Sequence, residues 1–223
     1  MKKLTESPEL LSIRDKKVCV LTWYNNDIVS DLKLAQEKVF NHFNLKINTY
    51  FDENLTHAKF MDYCLQNFES DIFIFFDLDC IPLDNRVIEN IVDELIKEDC
   101  IIGIEQSANH LNPDFIYAGP ACFGITKSIY DKIGGVSFDG THRSDVAQEY
   151  TYLSYEKNIS VKFFELISSK NNKWKLGGNR FFGNGCLYSF KDSKIYHQFQ
   201  TGIEEQKKDF KLECEKIVGN EKE

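Results

Sequence analysis

The run Ile72-Phe73-Ile74-Phe75-Phe76 is apolar at every position and ends in Asp77-Leu78-Asp79. A strand with one face in water alternates polar and apolar residues; a run without alternation belongs inside a sheet covered on both faces by helices. In such sheets, ligands bind beyond the carboxyl ends of the strands. Asp77 and Asp79 stand at such an end. Residues two apart on an extended segment point the same way, so the two carboxylates share a direction while Leu78 faces the other. Like charges held together raise each other's pKa unless a cation or donor compensates them. A divalent metal is the economical compensation, and hard oxygen ligands suit Mg2+ or Mn2+. The same pair also reads as solvated carboxylates capping the helix that follows.

The surrounding chain supports a covered sheet. KVCVLT (17–22) reads as a strand, and Ile28, Leu32, Ala35, Val39 and Phe43 then recur at helical spacing. LKINTYF (45–51) reads as a second strand, followed by a helix with Met61, Cys64, Leu65 and Phe68 on one face. DIFIFF (71–76) is the third strand. A helix carrying Ile88, Ile91, Val92, Leu95 and Ile96 leads to a fourth at CIIGI (100–104). This alternation predicts an α/β fold with a mostly parallel central sheet flanked by helices.

The second half is less regular. ACFGITKSIYDKIGG (121–135) reads as a strand, a short helix and a glycine stop. Residues 145–158 read as a helix and ISVKFFEL (159–166) as a strand. SSKNNKWKLGGNRFFGNG (168–185) is polar, basic and glycine-rich, the composition of a mobile loop. CLYSF (186–190) and KIYHQF (194–199) read as short strands, and a charged helix is expected from Ile203. Residues 1–15 read as a polar, weakly structured lead-in, and 16–223 as one domain, since no repeat or linker divides them.

Composition narrows the functional classes. A net charge of −8 over 223 residues gives no general drive toward nucleic acid or anionic membrane. The opening residues lack the apolar run of a signal peptide, and no stretch approaches the ~20 apolar residues of a membrane span. The seven cysteines are scattered without a Cys-x-x-Cys pair, which predicts reduced thiols and a cytoplasmic setting.

Two families place Asp-x-Asp after an apolar strand. FFDLDCIPLDN resembles the opening motif of haloacid dehalogenase-like phosphatases, which implies a nucleophilic Asp77 and an acid/base Asp79. In that family, however, the motif sits on the first strand and continues into Gly-Thr/Val, where Cys80-Ile81-Pro82 stands here. The order of pieces is more similar to GT-A fold glycosyltransferases of the family 2 type. VCVLTWYNN resembles their first strand and turn, without the proline. Asp52 follows the second strand, where such enzymes place an acidic residue on the nucleoside. YAGPACFGITKSIYDKIGGVSFDG (117–140) resembles their acceptor-side segment, RSDVAQEYTYLSYEKN (143–158) the acidic helix after it, and His197 a C-terminal metal-binding histidine.

That resemblance implies a single GT-A, Rossmann-like domain moving a sugar from a nucleotide-diphosphate donor (a UDP- or GDP-sugar) to a glycan or other hydroxyl acceptor. Asp79, with Asp77 and His197, would hold Mn2+ or Mg2+. Asp77 would also act toward ribose or water. Thr22, Tyr24 and Asp52 would flank the nucleoside, with Tyr24 or Trp23 able to stack on the base. Asp145 and Glu149, four apart on a helix face shared with Tyr152, are alternative bases, with Asp139 a third. Lys175 and Arg180, with Lys173 and Trp174, would form a lid carrying cations for the diphosphate. A non-catalytic nucleotide- or glycan-binding module is the remaining alternative.

Overall fold

The computed structural model describes residues 2–25 and 30–219. Ile28, expected on the buried face of the first helix, lies outside the described residues. In chain order the elements are β1 (Leu11–Ile13), β2 (Lys16–Tyr24), α1 (Ser30–His42), β3 (Asn48–Phe51), α2 (His57–Asn67), β4 (Ile72–Phe76), β5 (Cys80–Pro82) and α3 (Val87–Lys97). There follow β6 (Cys100–Gln106), β7 (Tyr117–Thr126), α4 (Lys127–Ile133), α5 (Gln148–Glu156), β8 (Ser160–Lys175), β9 (Phe181–Phe190), β10 (Ser193–His197) and α6 (Glu204–Gly219).

The strands form one curled sheet in the order β1-β2-β4-β7-β6-β8-β9-β10-β5, with β3 also on β2. Every residue of β4 is buried, as its unbroken apolar run requires. One face is covered by α3, whose Ile88, Ile91, Val92 and Leu95 pack into a core with Ile72, Ile74 and Phe76. The other face is covered by α2, α4 and α5, through Met61, Ile129 and Tyr150 against Phe73 and Phe75. The apolar stripe of α3 ends at Leu95; Ile96 is exposed. A third, smaller core joins α1 and α6 to β5 and β10 through Leu32, Val39, Ile81, Tyr196 and Phe210.

The fold is α/β as expected, but the sheet is mixed and not mostly parallel. β2 runs parallel to β3 and β4, and β6 to β8. β7 lies antiparallel between β4 and β6, and β8, β9, β10 and β5 continue antiparallel. The reason lies in the connections. A parallel neighbour needs a long crossover, usually a helix, whereas residues 107–116 return β6 to β7 through turns alone.

Two other segments differ from expectation. The lead-in contributes β1, paired with β2 from Leu11↔Val18 to Ile13↔Lys16, and Lys2 bridges to Tyr50. The supposed loop 168–185 is a long hairpin in which β8 pairs with β9 as far as Lys175↔Phe181. Its glycines serve the hairpin. Gly177, at φ 64°, takes the left-handed turn position, and a Cβ on Gly183 would sit 2.2 Å from the Asn171 carbonyl oxygen. Trp174 and Phe182 anchor it, each packing on Phe199 at ring separations of 5.7 and 5.3 Å. Trp174 and Phe182 also pack on each other across the hairpin at 5.4 Å, a pairing that polar and glycine-rich composition does not reveal.

Local signals set the helix ends near the site. Thr56 caps α2 by accepting the Lys59 amide at 3.3 Å, and Thr126 caps α4 by accepting that of Ile129 at 3.1 Å. Gly134, left-handed at φ 112°, stops α4. Among the described residues, no helix is long and apolar enough to cross a membrane. All seven cysteines are buried and free, as small apolar residues of the cores.

Candidate active site

β4 delivers Asp77 to the edge of the sheet where the carboxyl ends of β2 and β3 also lie. The chain does not stay extended there. The Cys80 amide donates to the Asp77 carbonyl at 3.0 Å, closing a turn over 77–80 that leads into β5. Asp77 and Asp79 therefore converge through a turn, not through strand alternation. The turn is held from outside, since Gln36 Nε2 donates to the carbonyls of Asp77 and Cys80 at 2.7 and 2.8 Å.

Pairing of β5 with β10 sets His197 opposite Cys80, which carries its imidazole onto the turn. His197 Nε2 lies 3.2 Å from Asp79 Oδ1 and 4.0 Å from Asp77 Oδ2. One ligand atom from each of Asp77, Asp79 and His197 falls within 4.8 Å of the others. Two carboxylate oxygens and an imidazole nitrogen make a donor set suited to Mn2+. The His197 Nδ1 is buried without a hydrogen-bond partner among the described residues, so the ring's polar contacts lie on the Nε2 side, toward the acids. The residues present fit a divalent cation. Burial raises the Asp77 pKa; Asp79 raises it further, while His57 and His197 act to lower it.

Two residues that the sequence reading did not single out complete the surroundings. His57, at the start of α2, places Nε2 3.1 Å from Asp77 Oδ1, and its ring lies parallel to Trp23 at 6.3 Å. Thr201 donates its hydroxyl to Asp79 Oδ2 at 2.7 Å. Neither position carries a motif; a lone histidine after β3 and a threonine in a polar turn have no spacing that marks them.

Beside this centre is a cleft of about 310 Å3 lined by Gln106, Asn109, Asp145, Trp174, Phe182 and Phe199 among others. Its wall reaches the acidic centre directly, for Phe199 packs on the His197 ring at 4.1 Å. Tyr117, buried at the start of β7, stands beside Asp145. Its hydroxyl is 3.5 Å from Asp145 Oδ2, and its pKa is pushed well up by burial, then by Asp145, with Asp77 adding to it. A separate hollow of about 560 Å3 between α1 and α6 shares no residue with either.

The remaining expected residues fall as follows. Asp145 is not on a helix: α5 starts at Gln148, after Ala147 at φ 63°, and Asp145 takes the Val146 amide on its own Oδ1 at 2.8 Å. It therefore shares no helix face with Glu149 and Tyr152. Glu149 is held by Arg143, whose Nε lies 3.1 Å from Oε2. The Asp139 amide is bound to Ser137 Oγ at 3.1 Å, in the segment after α4. Thr22 is buried with its hydroxyl unpartnered among the described residues. Tyr24 packs on Phe51 at 5.0 Å, and Trp23 stacks with both His57 and Phe60 of α2. Asp52 accepts the Asn54 amide at 2.8 Å just past β3.

The cations of the hairpin are committed elsewhere. Arg180 forms a two-pronged pair with the buried Glu105, its Nη1 2.9 Å from Oε1. Lys175 pairs with Asp114 at 2.6 Å. Lys173 alone of the three leans toward the centre, donating to Gln200 Oε1 at 3.0 Å, next to Thr201.

The phosphatase resemblance finds no support in this geometry. Cys80-Ile81-Pro82 is a sheet strand in place of the Gly-Thr/Val turn, and both Asp79 oxygens have fixed neighbours in His197 and Thr201. What fold and site define together is an α/β protein with a metal-competent acid–imidazole centre beside an aromatic cleft.

No family model matches the chain, and no curated protein sequence does. Solved structures do. One is a Drosophila β-1,4-galactosyltransferase 7 mutant with manganese, UDP-Gal and xylobiose, at 13% identity and TM-score 0.46 over 74% of this chain and 69% of that one. Another is a Pyrobaculum calidifontis mannosyltransferase with GDP-Man and Mn2+, at 9% identity and TM-score 0.49; it covers 72% of this chain, which spans 58% of its length. A third is a Bacillus anthracis protein assigned as a glucose-1-phosphate thymidylyltransferase, at 12% identity and TM-score 0.38 over 65% and 66% of the two chains. Glycosyltransferases thus stand among the solved structures this chain is similar to. Likeness this distant decides neither reaction nor substrate, which sites and not folds determine.

Proposed function

We propose that this chain is a metal-dependent glycosyltransferase that moves a sugar from a UDP- or GDP-sugar to an acceptor hydroxyl. The observation that carries the reading is the convergence of Asp77, Asp79 and His197 within 4.8 Å, beside a cleft that Asp145 borders. Mn2+ or Mg2+ held there would stabilise the negative charge that grows on a diphosphate leaving group.

The protein's own residues take the other roles. Asp79 and His197 hold the cation, and Asp77 does so directly or through ribose and water. Thr22, Tyr24 and Asp52, at the carboxyl ends of β2 and β3, flank the nucleoside. Lys173 supplies the positive charge expected of Lys175 and Arg180. Asp145, in the cleft and off the helix, receives the proton of the acceptor hydroxyl, and Tyr117 beside it keeps its hydroxyl protonated. Glu149, already paired with Arg143, is the poorer base. The aromatic walls Trp174, Phe182 and Phe199 exclude water from the reacting pair.

Titration calorimetry of UDP and GDP with and without Mn2+ tests the reading. Binding should require Mn2+ and vanish in Asp79→Ala. Metal-independent binding that survives Asp79→Ala overturns the metal site, and binding without donor hydrolysis or transfer makes the protein a non-catalytic module. In Asp145→Asn, transfer should fall by roughly 10²–10⁴-fold while Mn2+ and nucleotide affinity hold. Unchanged transfer would remove Asp145 from the chemistry.

A further inference from the structure

Each carboxylate of the centre has one oxygen on a protein group outside it and the other turned toward His197. For Asp77, Oδ1 lies 3.1 Å from His57 Nε2 and Oδ2 lies 4.0 Å from His197 Nε2. For Asp79, Oδ2 accepts from Thr201 at 2.7 Å and Oδ1 lies 3.2 Å from His197 Nε2. The backbones of both are also fixed, by the Asp77 amide on the Ala121 carbonyl at 2.9 Å and the Gln198 amide on the Asp79 carbonyl at 3.0 Å. A carboxylate on a fixed backbone has only its side-chain torsions left to choose which oxygen faces inward, and an outer donor decides them.

We propose that His57 and Thr201 are positioning residues that orient the two carboxylates so that each offers a single oxygen to a divalent cation, with His197 the one imidazole ligand. The inference rests on the metal-site reading above. His57 is suited to the task because it is itself fixed. It opens α2 directly behind the Thr56 cap, and its ring lies flat against Trp23, 6° from parallel, which in turn stacks on Phe60. Its Nε2 keeps an ion-pair contact with Asp77 Oδ1 at 3.1 Å and stands outside the ligand set. Thr201 is the counterpart for Asp79. It lies between β10, which carries His197, and α6, and the neighbouring Gln200 is tied down by Lys173. The two carboxylates are thus each contacted by a different part of the fold, one by the α2 start and one by the turn before α6.

The test is Mn2+ binding followed by electron paramagnetic resonance in the full chain, without nucleotide or turnover. His57→Ala and Thr201→Val should each weaken Mn2+ by about 10–100-fold, the usual cost of removing an outer partner of a metal ligand. His57→Gln, which puts a polar amide beside Asp77, and Thr201→Ser, which keeps the hydroxyl on Asp79, should recover most of that loss. Circular dichroism of each variant separates this effect from misfolding. Spin-echo modulation from histidine nitrogen should report one coordinated imidazole in the wild type, lost in His197→Ala and kept in His57→Gln. Two imidazoles, one lost with His57, would make His57 a ligand and overturn the positioning role. So would Mn2+ affinities of His57→Ala and Thr201→Val equal to wild type while Asp79→Ala binds none. A wild type that binds no Mn2+ refutes the metal reading itself, and this inference falls with it.

Discussion

Two groups of charged side chains lie near the cleft, and they treat charge in opposite ways. In the hairpin group Arg180 meets Glu105 in a two-pronged pair, Lys175 meets Asp114, and Glu105 also accepts the Leu166 amide at 2.8 Å. Charge there is cancelled within the protein. In the Asp77, Asp79 and His197 group the nitrogen neighbours are imidazoles, and burial holds the Asp77 pKa above its usual value. The first arrangement spends its electrostatics on holding the hairpin to the sheet. The second keeps negative charge in reserve for something that arrives later. Formal charge does not separate them, since both contain acids and nitrogen bases; the completeness of pairing does.

Three substitutions press on that contrast. The largest effect is expected from Asp79→Ala, which removes the oxygen nearest His197. Mn2+ affinity should drop by more than roughly 100-fold, beyond the cost of losing an outer partner, with little change in melting temperature. An unchanged affinity would place the reserve of charge elsewhere. Next is Arg180→Met. It leaves Glu105, 7% exposed, without its partner, and unfolding in urea should show a loss of about 1–3 kcal/mol. The value sits below that of a fully buried pair because Arg180 is itself 47% exposed. Mn2+ affinity should hold, and a parallel loss of metal binding would mean that the two groups are one site. The smallest effect is expected from Asp77→Asn. A carboxyl whose pKa is raised in the folded state favours folding in its protonated form, and that advantage fades as pH climbs from the unfolded pKa through the folded one. At neutral pH the neutral amide should therefore raise metal-free stability slightly while weakening Mn2+, a trade of function against stability. A loss of stability instead would show that His57 and His197 already compensate the charge.

The first half of the molecule was legible because its signals are local and agree with one another. The apolar run of β4 and the 3.6-residue spacing of Ile88, Ile91, Val92 and Leu95 both act within a few residues. The second half was not, because its order comes from partners far along the chain. Trp174 reads as a loop residue until Phe182 and Phe199 pack on it, and Asp145 reads as helical until its carboxylate takes the Val146 amide and α5 begins only at Gln148. Lys175 and Arg180 read as free cations for the same reason. Asp114 and Glu105 are 61 and 75 residues away from them, respectively, and no spacing rule covers that distance.

Asp77 and Asp79 themselves were recoverable from pattern alone, because an unbroken apolar strand can end in two acids only where the sheet meets solvent or a ligand. His197 was recoverable only as a resemblance. That it meets those acids, that His57 and Thr201 take the opposite carboxylate oxygens, and that Tyr117 meets Asp145 are decisions of the tertiary structure. Each depends on which strands pair and which turns close, contacts that cost chain entropy to form and leave no local periodicity to read. Hydrophobic pattern sets where the chain is buried, and long-range pairing sets which polar atoms then face each other.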